Sequence, residues 1–111
     1  MRIEPVSNQS FLAGNVYLKQ VAENNILNTD VLKKIAEKND IDLWISKAKQ
    51  TKYLPKNDMY TITAHQDLNI PPYTKRGVAV VLPQKTDNEK TVTEKLFGAI
   101  FEAIENLRNK I

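Results

Sequence analysis

Four stretches of the chain have the hydrophobic pattern of β-strands. They are residues 15–21, 41–48, 59–65 and 77–83. In the first three, apolar and polar residues alternate, as expected for strands that bury one face. The fourth is a continuous apolar run closed by Pro83, which is typical of a strand buried on both sides.

Two further stretches have the spacing of amphipathic helices. In the first, Val31, Leu32 and Ile35 form an apolar stripe, and Thr29 or Asp30 is expected to cap the helix by accepting hydrogen bonds from its first free amides. In the second, the pattern T-x-x-E at 91–94 predicts a capping box at the helix start. Its apolar residues then fall within a narrow arc and include Leu96, Ile100, Ile104, Leu107 and Ile111.

The order of these elements predicts the fold class. It is β-α-β-β-β-α, which favours an α+β two-layer sandwich with a four-stranded mixed sheet and two helices on one face. The first two strands, joined through a helix, are expected to be parallel, and the last three to form an antiparallel meander. We assign 1–13 to an irregular N-terminal arm and 14–111 to a single domain.

Composition narrows the classes of function. The chain has 111 residues, no cysteine and a net charge of +3, so thiolate chemistry and cysteine-bound metals are excluded. Residues 46–76 hold six Lys/Arg against two Asp/Glu, so the positive excess lies in the middle of the chain. The absence of a secretory signal and of a long apolar segment predicts a cytoplasmic protein with no membrane contact.

The predicted sheet face opposite the helices is the leading candidate site. It carries Tyr17, Lys19, Trp44, Ser46, Thr61, Thr63, His65, Ala79 and Val81, and Val21 shares the face of Tyr17. Exposed aromatics beside small hydroxyls suit protein contacts, so we expect Tyr17, Trp44, Thr61, Thr63 and His65 to bind a protein partner or a second copy of the chain. The alternatives are that the first dozen residues cover this face, or that Trp44 is a partly buried aromatic.

The second candidate is a basic hairpin at 47–56, between the second and third strands. Its residues, with two more from the fourth strand region, are Lys47, Lys49, Lys52, Tyr53, Lys56, Lys75 and Arg76. Lysines neutralise phosphates and an aromatic ring stacks on a base, so this set favours RNA or another polyanion. The alternative is that an exposed hairpin loop is simply polar.

Evidence for catalysis is weak in this sequence. His65 and Asp67 form an H-x-D pair on one strand face, which suits a base with its orienting group or two metal ligands. No third partner is evident, and none of the three glycines lies in a nucleotide-binding pattern. We therefore expect no cofactor and no metal site. Enzymatic activity is the third alternative after protein and polyanion binding, and it would have to be built around His65.

The order of elements from Asn28 onward resembles the double-stranded-RNA-binding domain, over residues 28–111. In that family the loop between the first two strands touches RNA, and the basic hairpin occupies the corresponding place. The family's final helix begins with a lysine cluster, whereas TVTEKLFGAI has only Lys95 beside Glu94. The added N-terminal strand is a further departure, so the resemblance assigns no residue roles here.

Overall fold

A computed structural model describes residues 14–48 and 59–109 of the chain. Within them the elements follow in the predicted order β-α-β-β-β-α. They are β1 (Val16–Lys19), α1 (Thr29–Lys38), β2 (Asp42–Ala48), β3 (Met59–Asp67), β4 (Thr74–Val81) and α2 (Glu89–Arg108). The predicted arm at 1–13 and most of the basic hairpin lie outside the described residues.

The sheet is mixed, as the sequence predicts. Its strands lie in the order β1-β2-β3-β4, with β1 parallel to β2 and the other two pairs antiparallel. Parallel neighbours need a crossover connection, and α1 forms it between β1 and β2. Both helices lie on the same face of the sheet, where α1 contacts β1 and β2 while α2 contacts β3 and β4. No helix of the described residues is long and apolar enough to cross a membrane.

A single hydrophobic core fills the space between the helices and the sheet. The sheet contributes Leu43, Ile45, Ile62, Ala64, Ala79 and Val81, and the helices contribute Leu32, Ala36, Leu96, Ala99, Ile100, Ala103, Ile104 and Leu107. Burial of each large apolar side chain contributes about 1.5–3 kcal/mol before entropy is subtracted. The predicted stripe residues that belong to this core or pack against it are Leu32 and Ile35 from α1 and Leu96, Ile100, Ile104 and Leu107 from α2. Ile111 of the second stripe lies outside the described residues.

The residues of the fourth strand were predicted on the wrong sides of the sheet. Ala79 and Val81 were expected on the open side, but both are buried beneath the helices, whereas Val78 and Val80 are about half exposed. The strand is thus buried on one side rather than on both. Because residues 77–83 are apolar at every position, the sequence does not show which of them face the helices and which face away. Pairing with β3 decides this instead, since it places Ala79 beside the buried Ile62.

Val21 also lies on the other side from the one predicted. Gln20 adopts a positive φ of 63°, which ends the extended backbone of β1. The chain turns at this point, and Val21 packs against the core.

Both helices begin earlier than the predicted caps. The side chain of Asn28, rather than Thr29 or Asp30, accepts from the backbone N–H of Val31 at 3.0 Å. At α2, Asn88 accepts from the backbone N–H of Thr91, and the Thr91 hydroxyl accepts from the backbone N–H of Asn88, each at 2.9 Å. Thr91 therefore belongs to a capping box, but as its third helical residue and with Asn88 as partner.

Candidate functional site

The sheet face away from the helices, called the open face below, carries two rows of side chains that cross all four strands. The register places Tyr17, Trp44, Thr63 and Val78 in one row and Lys19, Ser46, Thr61 and Val80 in the next. A third row contains Asp42, His65 and Arg76. These rows bring together the five residues predicted for partner binding, and add Val78, Val80 and Arg76 to them.

Two aromatic rings lie side by side on the first two strands of the open face. Tyr17 on β1 and Trp44 on β2 are register partners, with ring centroids 4.5 Å apart and planes tilted by 38°. Aromatic pairs at such a separation contribute about 0.5–1.5 kcal/mol beyond their burial. Each ring therefore favours the orientation seen for the other.

A buried carboxylate fixes β1 beside β2 and so positions this pair. Asp42 accepts from the backbone N–H of Asn15 at 3.1 Å and from its side-chain amide at 3.3 Å. Asp42 is buried, so both bonds are shielded from water. No pattern in the sequence indicates the bonds of Asp42 to Asn15, because they join residues of two different strand regions.

Four aromatic or aliphatic side chains of this face are each about half exposed to solvent. Tyr17 is 45% exposed, Trp44 51%, Val78 48% and Val80 50%, and Thr61 and Thr63 lie between the aromatic pair and the two valines. A shallow depression of about 420 Å³ lies over these strands. It is lined by Tyr17, Lys19, Trp44, Ile45, Ser46, Thr61, Thr63, His65 and Arg76.

His65 has a neighbour on each side of its ring. Its Nε2 lies 2.8 Å from Asp67 Oδ1, and Arg76 Nε donates to its Nδ1 at 3.4 Å. With Nδ1 as acceptor, the neutral ring carries its proton on Nε2 and donates to Asp67. Arg76 is thus a third group that joins the pair of His65 and Asp67 through its contact with His65. The sequence did not reveal it because Arg76 comes from another strand. No cluster of three His, Asp or Glu side chains able to hold a metal ion occurs within 14–48 and 59–109.

The basic residues that the structure describes do not share one surface. Lys47 lies on the helix side of the sheet, with its Nζ 5.7 Å from the centre of the Tyr60 ring. Lys75 is on the same side of β4 as the buried Ala79, whereas Arg76 lies on the open face. Lys49, Lys52, Tyr53 and Lys56 lie outside the described residues, so polyanion binding by the hairpin stays a prediction.

Comparison with known proteins assigns no family to the chain. No family model, no curated protein and no solved structure matches it. Its function is therefore inferred from the surface described above.

Proposed function

We propose that the chain is a small, non-catalytic interaction module that binds a protein partner through the open face. The observation that supports this most is the group of four half-exposed side chains, Tyr17, Trp44, Val78 and Val80, which spreads over three strands of one sheet face. Tryptophan and tyrosine are the side chains that most often dominate protein interfaces, because they bury large areas at little cost in entropy.

The charges of the open face favour a protein over a polyanion. Its described cations are Lys19 and Arg76, and the carboxylates of Asp42 and Asp67 lie on the same face. Within residues 14–48 and 59–109 these charges balance, whereas binding to phosphates is favoured by an excess of positive charge. Threonine hydroxyls beside the aromatic pair suit hydrogen bonds to a polypeptide backbone.

Replacement of the central aromatic tests this proposal. We expect Trp44→Ser to weaken capture of the partner by about tenfold or more, because a buried interface tryptophan typically contributes at least about 2 kcal/mol. Phe101→Ser is the matched control, since Phe101 is 55% exposed but lies on α2, away from the open face. Circular dichroism would verify that both variants fold.

The measurement is affinity capture from cell extract, before and after nuclease treatment and in about 1 M salt, where exposed charges are screened. A protein retained by the wild type and Phe101→Ser, and lost with Trp44→Ser, supports the proposal. Capture that is insensitive to Trp44→Ser contradicts it. Loss on nuclease treatment or in high salt points to nucleic acid instead.

A further inference from the structure

A different surface, the outer edge of β4, is open to strand pairing. β4 has eight residues, and within the described chain it pairs with β3 alone. Asn106 Nδ2 donates to the Val78 carbonyl at 3.0 Å, so the backbone groups of Val78 point outward. Backbone direction alternates along a strand, so those of Val80 also point outward. The half of β4 beyond Val78 therefore presents an edge that can accept another strand.

A groove of about 440 Å³ runs between this half of β4 and α2. Its lining includes Val81 and Ala99, and Gly98 has no atom within 4 Å of the place that a Cβ would take. Lys95, which precedes Gly98 and Ala99 in the helix, and Glu102, which follows them, also line the groove. The groove thus has small residues at its centre, with a positive charge three residues before Gly98 and a negative charge three residues after Ala99.

We propose that a second copy of this chain occupies the groove, with the two β4 strands pairing antiparallel about a twofold axis at Val81. In this register the backbone of Val80 forms hydrogen bonds with the backbone of Leu82 of the second copy. The hydrogen bond between Asn106 and Val78 is kept. The same axis makes the two α2 helices antiparallel. Gly98 then lies opposite Ala99 of the second copy, which allows the helix axes to approach to about 8–10 Å.

Charge complementarity supports a second copy as the occupant. Antiparallel α2 helices that cross at Gly98–Ala99 place Lys95 of each copy beside Glu102 of the other. Lys95 Nζ donates to Asp87 at 2.6 Å within the chain, and an ammonium group has three donors, so it can reach a second carboxylate. The dimer would join the four strands of each copy into one sheet, with both open faces on the same side and free.

Sedimentation of the full chain over about 1–500 µM tests the dimer. We expect a concentration-dependent dimer for the wild type. Gly98→Arg should raise its dissociation constant by about tenfold or more, because the new side chain fills the helix crossing. The single chain has room for this side chain, since nothing beyond the adjoining helix backbone lies within 4 Å of the place that a Cβ would take. Circular dichroism would verify the fold.

Charge reversal separates this dimer from other modes of association. Glu102→Lys should weaken it, and Lys95→Glu combined with Glu102→Lys should restore it to within about threefold of the wild type. Glu94→Lys is the matched control, because Glu94 is exposed and does not line the groove.

Three outcomes would overturn the proposal: a wild-type monomer at every concentration, a dimer insensitive to Gly98→Arg, or a double variant no tighter than Glu102→Lys. A dimer abolished by Trp44→Ser would show that self-association uses the open face. The open face and the groove between β4 and α2 are different surfaces. Measuring whether the Gly98→Arg variant still captures the protein partner therefore tests the proposed function independently of the dimer.

Discussion

Gly77 and Gly98 both lie in regular elements, but their surroundings differ. A Cβ on Gly77 would overlap the carbonyl oxygen of Ala103 and lie 2.9 Å from the Cα of Leu107. α2 can therefore pack closely on β4 only because this side chain is absent. Gly98 is exposed on α2 with open space around it.

Alanine at these two positions should have opposite effects. We expect Gly77→Ala to destabilise the fold by about 1–3 kcal/mol or more, because β4 and α2 must separate to admit the methyl group. Gly98→Ala should stabilise it by up to about 1 kcal/mol, since alanine is the better helix former. Urea unfolding at low protein concentration measures both. Equal effects of the two substitutions would contradict the close contact at Gly77.

Individual residues of the candidate site were predictable where the sequence alternates. Trp44, Thr61 and Thr63 were assigned correctly to the open face because their strands have a clear period of two. Val78 and Val80 were missed because a uniformly apolar strand has no such period. The contact between Arg76 and His65 was also not predictable, because it depends on the register of β3 against β4.

Helix starts are set by competition among neighbouring side chains that can all act as caps. Before α2, Asp87 accepts from the backbone N–H of Gln84 at 2.8 Å and from Lys95, which leaves Asn88 as the cap. The Lys95 bond lowers the pKa of the Asp87 carboxyl. The sequence identified the helix and its buried stripe, but it could not rank Asn88 above Thr91, since both residue types cap helices well.

The cap can be tested by removing its side chain. Asn88→Ala should reduce the free energy of unfolding by about 1 kcal/mol, because the amides at the start of α2 lose their acceptor. Asn25→Ala is the control, since the exposed Asn25 offers only its backbone carbonyl to a neighbour in the part of the chain that the structure describes. It should change stability by less than about 0.5 kcal/mol. A thermal or urea unfolding curve gives both values, and equal losses would refute the assignment.

For the whole molecule, the order of elements was sufficient to predict the architecture. Parallel pairing of β1 and β2 follows from the intervening α1, and the meander follows from the short connections after it. What this order leaves open is which side of β4 faces the helices. That choice depends on pairing with β3, a contact between residues distant in sequence.

Neighbouring valines on β4 test the two sides of the sheet. Val81→Thr, which places a hydroxyl in the core, should cost about 1–3 kcal/mol. Val80→Thr, the same change on the half-exposed side, should cost less than about 0.5 kcal/mol. Urea unfolding of the two variants compares them directly. A larger loss at Val80 would reverse the faces assigned to β4.

The run from Val78 to Leu82 also bears on how the protein is made. It is five apolar residues without a charge, and such segments readily form intermolecular sheets. The helix that covers its inner side follows it in the chain, so a growing polypeptide exposes this run before α2 has been synthesised. Lys75 and Arg76 before the run and Pro83 after it are residues of the kind that discourage aggregation. We therefore expect these three residues to limit pairing of the run with other chains for as long as α2 does not cover it.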